Sequence, residues 1–381
     1  MPRETPFHAR TAELNQARRW RNWGGFFIAD SYFPAHDLEY HAVRFSSALF
    51  DVTPMYKYRV SGPDAARLVD RVITRRVDRI KPMRAIYTPW CDEHGRVLDD
   101  GTVALLSDGS YFWTAAEPQH GWLESCAEGL NAAIEDLTEQ LCAVSLQGPT
   151  AREVLSAAVG HDLSTLPFFG RADVLIGGVP VSISRTGYSG DLGYELFMPF
   201  ASALPVWDAL IAAGEAHTLR VAGMEALDVA RLEAGLIMAG VDYYSSRTAH
   251  HPSQAASPYE IGFDRLVDLD KPAFIGKRAL MDEVAAGGPA NRLVGLELDQ
   301  QVEHLLPPQG VHDARRHVRN RQRGPAQHIA LSDANRILHT RPCPQDDFIG
   351  GFPVNLAGHN LTAPQPDLHG GVSFHDGLRG F

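Results

Sequence analysis

A short unit that occurs twice constrains the fold of this chain more than any other feature of its sequence. In each copy, a run with strand-like alternation leads into Gly-Pro-x-Ala and then into a helical pattern. The first copy has the strand Tyr56–Ser61 and a helix towards Ile73; the second has the strand Ala143–Gln147 and a helix through Val159. Proline suits the first helical turn because its φ is already near the helical value. The repetition predicts two related α+β subdomains, each laying helices on a mainly antiparallel sheet.

Length and charge limit the classes of protein to which the chain can belong. Its 381 residues are enough for two or three domains with a large core. A formal net charge of −11 without a clear basic stripe argues against a nucleic-acid partner, because phosphates require clustered Lys and Arg. No apolar run approaches the roughly 20 residues of a membrane span, and the polar N-terminus does not resemble a signal peptide. We therefore expect a cytoplasmic protein without a membrane partner.

The positions of cysteine and histidine give no sign of a metal site. The four cysteines lack C-x-x-C spacing, and the histidines cluster in the C-terminal tail without the spacing of metal ligands. Buried apolar cysteines are expected in place of a disulfide framework. No H-E-x-x-H, G-x-S-x-G or kinase motif set is present, which removes support for metalloproteases, serine hydrolases and kinases.

Periodicity predicts further elements between the two units and after them. Helices are predicted at Trp122–Leu141, Ala203–Glu215 and Met224–Leu236. Ser257–Phe263 is interpreted as a strand that leads into a turn and a helix start. We interpret this last segment as structural.

The chain changes character after about Asp299, where strand-like alternation is nearly absent and Gly, Pro and His become frequent. The predicted division is therefore a core at 1–285 and a C-terminal region at 286–381. Within the core, the two subdomains are expected at about 45–140 and 141–285. The C-terminal region is interpreted as either divergent or poorly ordered.

Two adjacent acids form the first segment that could carry chemistry. Asp99 and Asp100 stand at the start of the apolar strand Thr102–Leu106. Because successive side chains on a strand point to opposite faces, one acid can face solvent while the other faces a cleft. The alternative interpretation, which these residues alone favour, is a solvated turn or cap.

A glycine-rich loop and a charged helix are the other candidate segments. The loop S-R-T-G-Y-S-G-D-L-G-Y-E ends at Glu195, which is predicted to lie in a strand between apolar neighbours. Such glycines suit a close approach of the backbone to a ligand or to another segment, and a buried acid requires a partner. A plain hairpin with a solvent-facing acid is the alternative. The charged helix, Gly223–Gly235, is interpreted as a salt-bridged surface when taken alone.

Taken in order, these segments resemble the glycine-cleavage T-protein (aminomethyltransferase) family. The matching motifs are L-F-D-V-T-P-M at Leu49–Met55, the strand-G-P-x-A-helix unit, Y-T…G-x-x-x-D-D, L-Q-G-P, R-T-G-Y-S-G-D-L-G-Y-E, A-R-L-E-A-G and F-I-G-K-R-A-L. The resemblance spans roughly residues 40–300. It implies an α+β fold of two ferredoxin-like subdomains around a folate channel, with a C-terminal barrel. The barrel signature G-x-x-T-S-G-x-x-S-P is not found after Asp299, so the barrel is expected to be degenerate or altered.

The resemblance also implies roles for individual residues. Asp100 corresponds to the essential aspartate beside the nitrogens of tetrahydrofolate and is the expected catalytic residue. Glu195 corresponds to the acid that grips the pterin, whose amino and ring N–H groups suit a carboxylate. The remaining candidates for binding the cofactor are Tyr87, Tyr188, Met55, Trp113 and Arg231.

Two departures from the family pattern bear on the substrate. Pro54 stands where the family has histidine, and Leu227 stands where true T-proteins have a folate-contacting arginine. The implied function is a tetrahydrofolate-dependent aminomethyl or methyl transferase, with a small-molecule one-carbon donor or a lipoyl carrier protein as partner. The alternatives are a tetrahydrofolate-dependent O-, S- or N-demethylase, a non-catalytic folate-binding protein, and a structural protein that uses the scaffold alone.

Overall fold

The computed structural model describes residues 2–294 together with the short strand Arg319–Arg321. The expectations for a C-terminal barrel therefore lie outside the described residues. The division into a core and a C-terminal region at residue 286 stays a prediction.

The described chain is a mixture of strands and helices. The strands in chain order are β1 (Arg3–Glu4), β2 (Arg19–Trp23), β3 (Phe26–Ser31), β4 (Ser47–Asp51), β5 (Tyr56–Ser61), β6 (Arg84–Cys91), β7 (Val97–Leu105), β8 (Tyr111–Ala115), β9 (Ala133–Asp136), β10 (Leu141–Gln147), β11 (Arg171–Ile176), β12 (Val179–Ser184), β13 (Gly193–Pro199), β14 (Leu219–Val221), β15 (Asn291–Leu293) and β16 (Arg319–Arg321). The α-helices are α1 (His8–Leu14), α2 (Asp37–Phe45), α3 (Ala65–Val72), α4 (His120–Cys126), α5 (Ala151–Val159), α6 (Ala203–Gly214), α7 (Met224–Glu233) and α8 (Lys277–Ala285).

Two large sheets repeat one topology. The first sheet has five strands in the order β6-β7-β8-β5-β9, and the second has six in the order β11-β12-β13-β10-β4-β14. In each sheet a strand leads through a helix into an antiparallel three-strand meander, and a second helix leads to the last strand. This is the ferredoxin-like β-α-β pattern with one additional meander strand. The repeat predicted from Gly-Pro-x-Ala is confirmed, and β4 is an insertion into the second copy.

Most of the predicted helices are present, and the longest is wrong. The elements α3, α5, α6 and α7 lie where periodicity placed them. The helix predicted at Trp122–Leu141 is only α4; Gly129 then takes a positive φ of 75° and β9 pairs with β5. The pairing of Ala133–Asp136 with β5 thus overrides the helical pattern. Ser257–Phe263 is also not a strand, because its backbone closes local turns such as Phe263 N–H to Pro258 O at 2.8 Å.

Helices cover one face of each sheet, and the two other faces meet. The core of the first sheet packs α3 and α4, and that of the second packs α5 and α6. Between the sheets lies what we term the central cluster: Ile28, Ala42, Val43, Ala48, Phe50, Val52, Ala85, Ala104, Phe112, Ala143, Phe197, Ala222, Met224, Ala226, Leu227 and Ala230. Phe112 of the first sheet and Phe197 of the second touch edge-on, with ring centroids 5.0 Å apart. Any ligand held between the sheets would contact this cluster.

The N-terminal residues belong to the fold and position α7. They form a three-stranded sheet in the order β1-β3-β2. The buried Glu39 carboxylate accepts hydrogen bonds from the backbone N–H groups of Tyr32 and Gly223, each at 2.7 Å. Gly223 is the residue before the first turn of α7, where a negative charge opposes the helix dipole. The acid therefore fixes the start of the helix that carries Arg231.

Two further expectations can be compared with the described residues. Cys91, Cys126 and Cys142 are all buried and unpaired, as expected. No helix among the described residues is long and apolar enough to cross a membrane.

Candidate functional site

The adjacent acids of β7 face opposite sides of the first sheet. Asp99 is fully buried and accepts hydrogen bonds from the backbone N–H groups of Asp100 and Glu117, each at 2.8 Å. It also accepts one from the side chain of Gln119 at 3.2 Å. Burial and the charge of Asp100 raise the pKa of Asp99 well above its ordinary value. Its bonds fix the loop before α4, so Asp99 has a structural role.

Asp100 faces the central cluster and receives two tyrosine hydroxyls. Tyr87 on β6 donates to Asp100 Oδ2 at 2.5 Å, and Tyr243 donates to Asp100 Oδ1. Tyr87 reaches it because Pro89 pairs with Asp100, which makes Tyr87 a diagonal neighbour on the same face. Burial raises the pKa of Asp100 to about 6, although both tyrosine hydrogen bonds act in the opposite direction. At neutral pH the group is therefore ionised yet close to its titration range.

The ion pair between Arg231, near the end of α7, and Asp242 positions Tyr243 beside Asp100. Arg231 is fully buried and contacts Asp242, Asp228 at 3.3 Å and the Leu236 carbonyl at 3.1 Å. Asp242 Oδ2 in turn accepts from the Met238 N–H at 2.7 Å. These contacts fold residues 236–242 back over the guanidinium. Tyr243 is the next residue, so its position depends on Arg231.

Glu195 lies on β13 of the second sheet and faces the same interface from the other side. It shares a strand face with Phe197 of the central cluster, since the two are separated by one residue. Its Oε2 accepts a hydrogen bond from Thr186 Oγ1 at 2.5 Å. Burial raises the pKa of Glu195, whereas Thr186 and Arg171 lower it.

The glycine-rich loop approaches another chain segment. A Cβ on Gly187 or Gly193 would lie only 2.1 Å or 2.2 Å from the side-chain amide of Gln147. Gln147 is fully buried and accepts a hydrogen bond from Ser189 Oγ at 2.7 Å. Gly190 has a φ of +79° and packs on Ala234 after α7. The loop is thereby locked against β10 and α7, and it presents Tyr188 to the central cluster.

The two acids and two of the tyrosines lie at the interface between the two sheets, which we term the cleft. Asp100, Glu195, Tyr87 and Tyr188 are enclosed by protein, yet each retains accessible surface. Because Asp100 shares its face with Ala104 and Glu195 with Phe197, both carboxylates face the central cluster.

Comparisons with known proteins identify the family. The family model described as the GCVT N-terminal domain matches residues 6–271. The chain belongs to this family. The resemblance to glycine-cleavage T-proteins is thereby confirmed, and the match begins well before residue 40.

Individual relatives of the T-protein family carry different names. The chain is 36% identical over 317 residues to a trimethylamine-oxide aldolase of Ruegeria pomeroyi, covering 80% of this chain but 38% of that protein. It is 34% identical over 276 residues to an aminomethyltransferase of Desulforamulus reducens, covering 71% of this chain and 72% of that protein. The crystal structure of the glycine cleavage system aminomethyltransferase T from Bartonella henselae superimposes with a TM-score of 0.69 at 23% identity, covering 79% of each chain. This last likeness shows the fold.

The structure brings most of the predicted site residues of this T-protein family member together. Met55 and Tyr188 pack against the central cluster, and Tyr87 contacts Asp100. Trp113 is not with them: it is fully buried in the opposite core, edge-on to Trp90 with ring centroids 4.9 Å apart. The reason is register, since Trp113 pairs with Val103, which lies on the same face of β7 as Asp99.

Arg231 is placed differently from what a ligand-binding role suggests. Its guanidinium is occupied by Asp228, Asp242 and a backbone carbonyl, and only Nη2 has no hydrogen-bond partner among the described residues. The arginine therefore holds the chain that carries Tyr243. Leu227, one turn earlier, is buried in the central cluster.

Sequence reasoning missed Tyr243 and Asp242. Both lie in an irregular segment after α7 that shows no periodicity. The available signal was the dipeptide D-Y eleven residues after Arg231, because an arginine that becomes buried requires an acidic partner. In the described part of the chain, no group of three or more His, Cys, Asp and Glu is placed to hold a metal ion.

Proposed function

We propose that this T-protein family member is a tetrahydrofolate-dependent one-carbon transferase. The observation that carries the proposal is the pair of carboxylates on opposing sheets, both facing the central cluster. Asp100 is held there by two tyrosine hydroxyls, and Glu195 by Thr186. Such an arrangement has no structural purpose that the core itself requires, since a buried carboxylate costs free energy.

The residues of the cleft suit a reduced pterin. A carboxylate can accept about four hydrogen bonds, and Glu195 accepts one from Thr186, so it can take two more from an amino group and a ring N–H. Tyr188, Tyr87 and Met55 provide aromatic and thioether surface for a flat ring. Glu195 would therefore hold the pterin edge while Asp100 lies at the reacting end.

The residues around Asp100 can carry out the transfer. Tetrahydrofolate, when bound, supplies the secondary amine that accepts the carbon. Above pH about 6, Asp100 is an anion that can stabilise developing positive charge on a donor amine or take up a proton. Tyr87 and Tyr243 fix the direction of its two oxygens, so that little reorganisation is needed during the reaction.

The proposed donor is a small amine that bears a transferable carbon. Relatives named aminomethyltransferase and trimethylamine-oxide aldolase match this chain at similar identity, and both names refer to carbon attached to nitrogen. The second candidate, a demethylase of methylated amines, is favoured by Leu227: this apolar residue leaves the central cluster without the arginine expected of true T-proteins. A lipoyl carrier protein is the corresponding partner for the aminomethyl reaction.

Replacing Asp100 by Asn tests the proposal. Transfer to tetrahydrofolate from trimethylamine oxide, methylated amines or an aminomethyl-lipoyl protein should identify a donor for the wild type. With that donor, we expect Asp100→Asn to lower kcat by about 100- to 1,000-fold, while calorimetry shows tetrahydrofolate binding retained. The exposed Asp108→Asn, in the turn after β7, is the matched control. An unchanged kcat in Asp100→Asn contradicts the catalytic role; a wild type that binds folate but transfers no carbon favours a non-catalytic binding protein.

A further inference from the structure

A buried arginine lies between the two sheets and is not explained by the features described above. Arg171 opens β11 and is 5% exposed. Its guanidinium carbon lies 4.5 Å from the ring centroid of Phe112 and 5.3 Å from that of Phe197. Its Nη2 donates to Ser182 Oγ at 3.0 Å, whereas the buried Nε has no hydrogen-bond partner among the described residues. No carboxylate forms a direct ion pair with it in the described chain.

Strand register places Arg171 in one row with Glu195. Arg171 pairs with Ser184 across β11 and β12, and Ser184 pairs with Glu195 across β12 and β13. Directly paired residues of antiparallel strands project from the same face, so all three side chains face the central cluster. The long arginine side chain extends over Phe197, two residues beyond Glu195 on the same strand face. The guanidinium therefore lies at the Ser182–Phe197 pair, which is the next pair to Ser184–Glu195 on the same face of the sheet.

Apart from Arg171, few groups near Glu195 can stabilise a negative charge on its carboxyl group. Its cross-strand neighbours Ser184 and Ser145 are uncharged, and Thr186 donates one hydrogen bond. Among the described residues, Arg171 is the charged group that lowers the pKa of Glu195. Burial lowers the pKa of Arg171 to about 10, with Glu195 and Asp173 opposing it, so the guanidinium remains charged at neutral pH.

We propose that Arg171 is a positioning residue that keeps Glu195 as a carboxylate between the two sheets, ready to accept hydrogen bonds from the pterin edge. The inference rests on the proposed function, because it concerns the same site. Its physical basis is that an ionised carboxylate accepts from two N–H donors, whereas a protonated acid presents an O–H where the ligand also has a donor. The aromatic rings hold the cation in place by cation–π attraction without neutralising it.

The test is the pH dependence of ligand affinity in charge variants. Arg171→Met keeps the apolar contacts with the two rings and removes the charge. We expect it to bind tetrahydrofolate at least about tenfold more weakly than the wild type at pH 7 and to recover most of this affinity at pH 9. Arg171→Lys keeps the charge and should follow the wild-type profile. Arg84→Met, an arginine on β6 that donates to the Phe168 carbonyl at 2.8 Å, is the matched control.

A second measurement needs no ligand. The carboxyl band of Glu195 can be isolated as the infrared difference between the wild type and Glu195→Gln, and its titration followed with pH. We expect the same difference, measured in the Arg171→Met background, to titrate at higher pH. In addition, Arg171→Met should have little further effect on affinity once Glu195 is already Gln, as a double-mutant cycle reveals.

The possible outcomes separate this inference from the proposed function. If the wild type does not bind tetrahydrofolate, the proposed function is wrong, and the infrared titration still decides whether Arg171 acts on Glu195. If the wild type binds and Arg171→Met shows the same pH profile and the same carboxyl titration, the role of Arg171 is wrong. A uniform loss of affinity at all pH values, with an unmoved carboxyl titration, indicates packing alone and also contradicts the inference.

Discussion

Removing the hydroxyl of Tyr243 should move the pH at which the proposed transferase activity appears. In the structure this hydroxyl donates to Asp100 Oδ1, while Tyr87 donates to Oδ2. Both bonds stabilise the charged form and lower the pKa of Asp100, which burial otherwise raises to about 6. Tyr243→Phe removes one donor and leaves the ring, which is 1% exposed, in its packed position.

The size of the effect follows from the strength of a hydrogen bond to a charged group. Such a bond contributes about 1.5–3 kcal/mol, and each pH unit corresponds to about 1.4 kcal/mol. The acid limb of the rate profile should therefore move upwards by about one to two pH units. The direction of this shift follows because the carboxylate is the active form of Asp100. Activity is present above the pKa of Asp100 and is lost as pH falls through it. A higher pKa thus costs activity at neutral pH and little at pH 9.

The assay is kcat for transfer to tetrahydrofolate between pH 5 and 9 under saturating conditions. Tyr40→Phe is the matched control, because its hydroxyl also donates to a carboxylate, but to Glu233 at 2.7 Å and not to Asp100. We expect the control to keep the wild-type midpoint. A folded Tyr243→Phe variant with the wild-type midpoint would refute the view that this hydroxyl tunes Asp100. A uniform loss at every pH would instead assign Tyr243 to ligand positioning.

Two further predictions concern stability. Arg231→Met should lower the free energy of unfolding by about 3–5 kcal/mol, because it removes the buried cation that pairs with Asp242 and Asp228. Urea denaturation measures this, and a loss below 1 kcal/mol contradicts the assigned role. Gly187→Ala should lower the free energy of unfolding by about 1–3 kcal/mol, because its Cβ would lie 2.1 Å from the Gln147 amide. When Gln147 is already Ala, Gly187→Ala should cause little further loss. Gly121→Ala, where the new Cβ meets nothing within 4 Å in α4, is the control and should not destabilise.

Sequence patterns were sufficient for elements whose periodicity and burial agree. The strand β5 and the helices α3 and α5 follow from alternation and from Gly-Pro-x-Ala, because these signals are local. The helix predicted at Trp122–Leu141 failed because a pairing partner distant in sequence, β5, captures Ala133–Asp136 as a strand. Such non-local competition is not encoded in a window of residues.

The sequence singled out Asp99 and Asp100 as candidate residues, but it could not predict which groups surround each of them. Alternation places Asp99 and Asp100 on opposite faces, yet it does not say which face is the cleft. The cleft face is the one that the second sheet covers, and the position of that sheet is not visible in the strand pattern. In the structure Asp100 lies on that face and bonds Tyr243, whereas Asp99 bonds the loop before α4. Trp113 illustrates the same limit, since one step of register places an aromatic residue in the cleft or in the opposite core.

The passage of the chain from one sheet to the other explains why the cleft can tolerate Pro54. Strand β4 belongs to the second sheet and β5 to the first, so the turn between them crosses the interface and presents Met55. The fully buried Lys57 pins this turn by donating to the carbonyls of Thr53 at 2.8 Å and Met55 at 2.6 Å. Burial lowers the pKa of Lys57 to about 8, so the ammonium group that holds the turn is close to its titration range at neutral pH. The shape of the turn thus depends on the backbone carbonyls of Thr53 and Met55, which a proline at position 54 leaves in place.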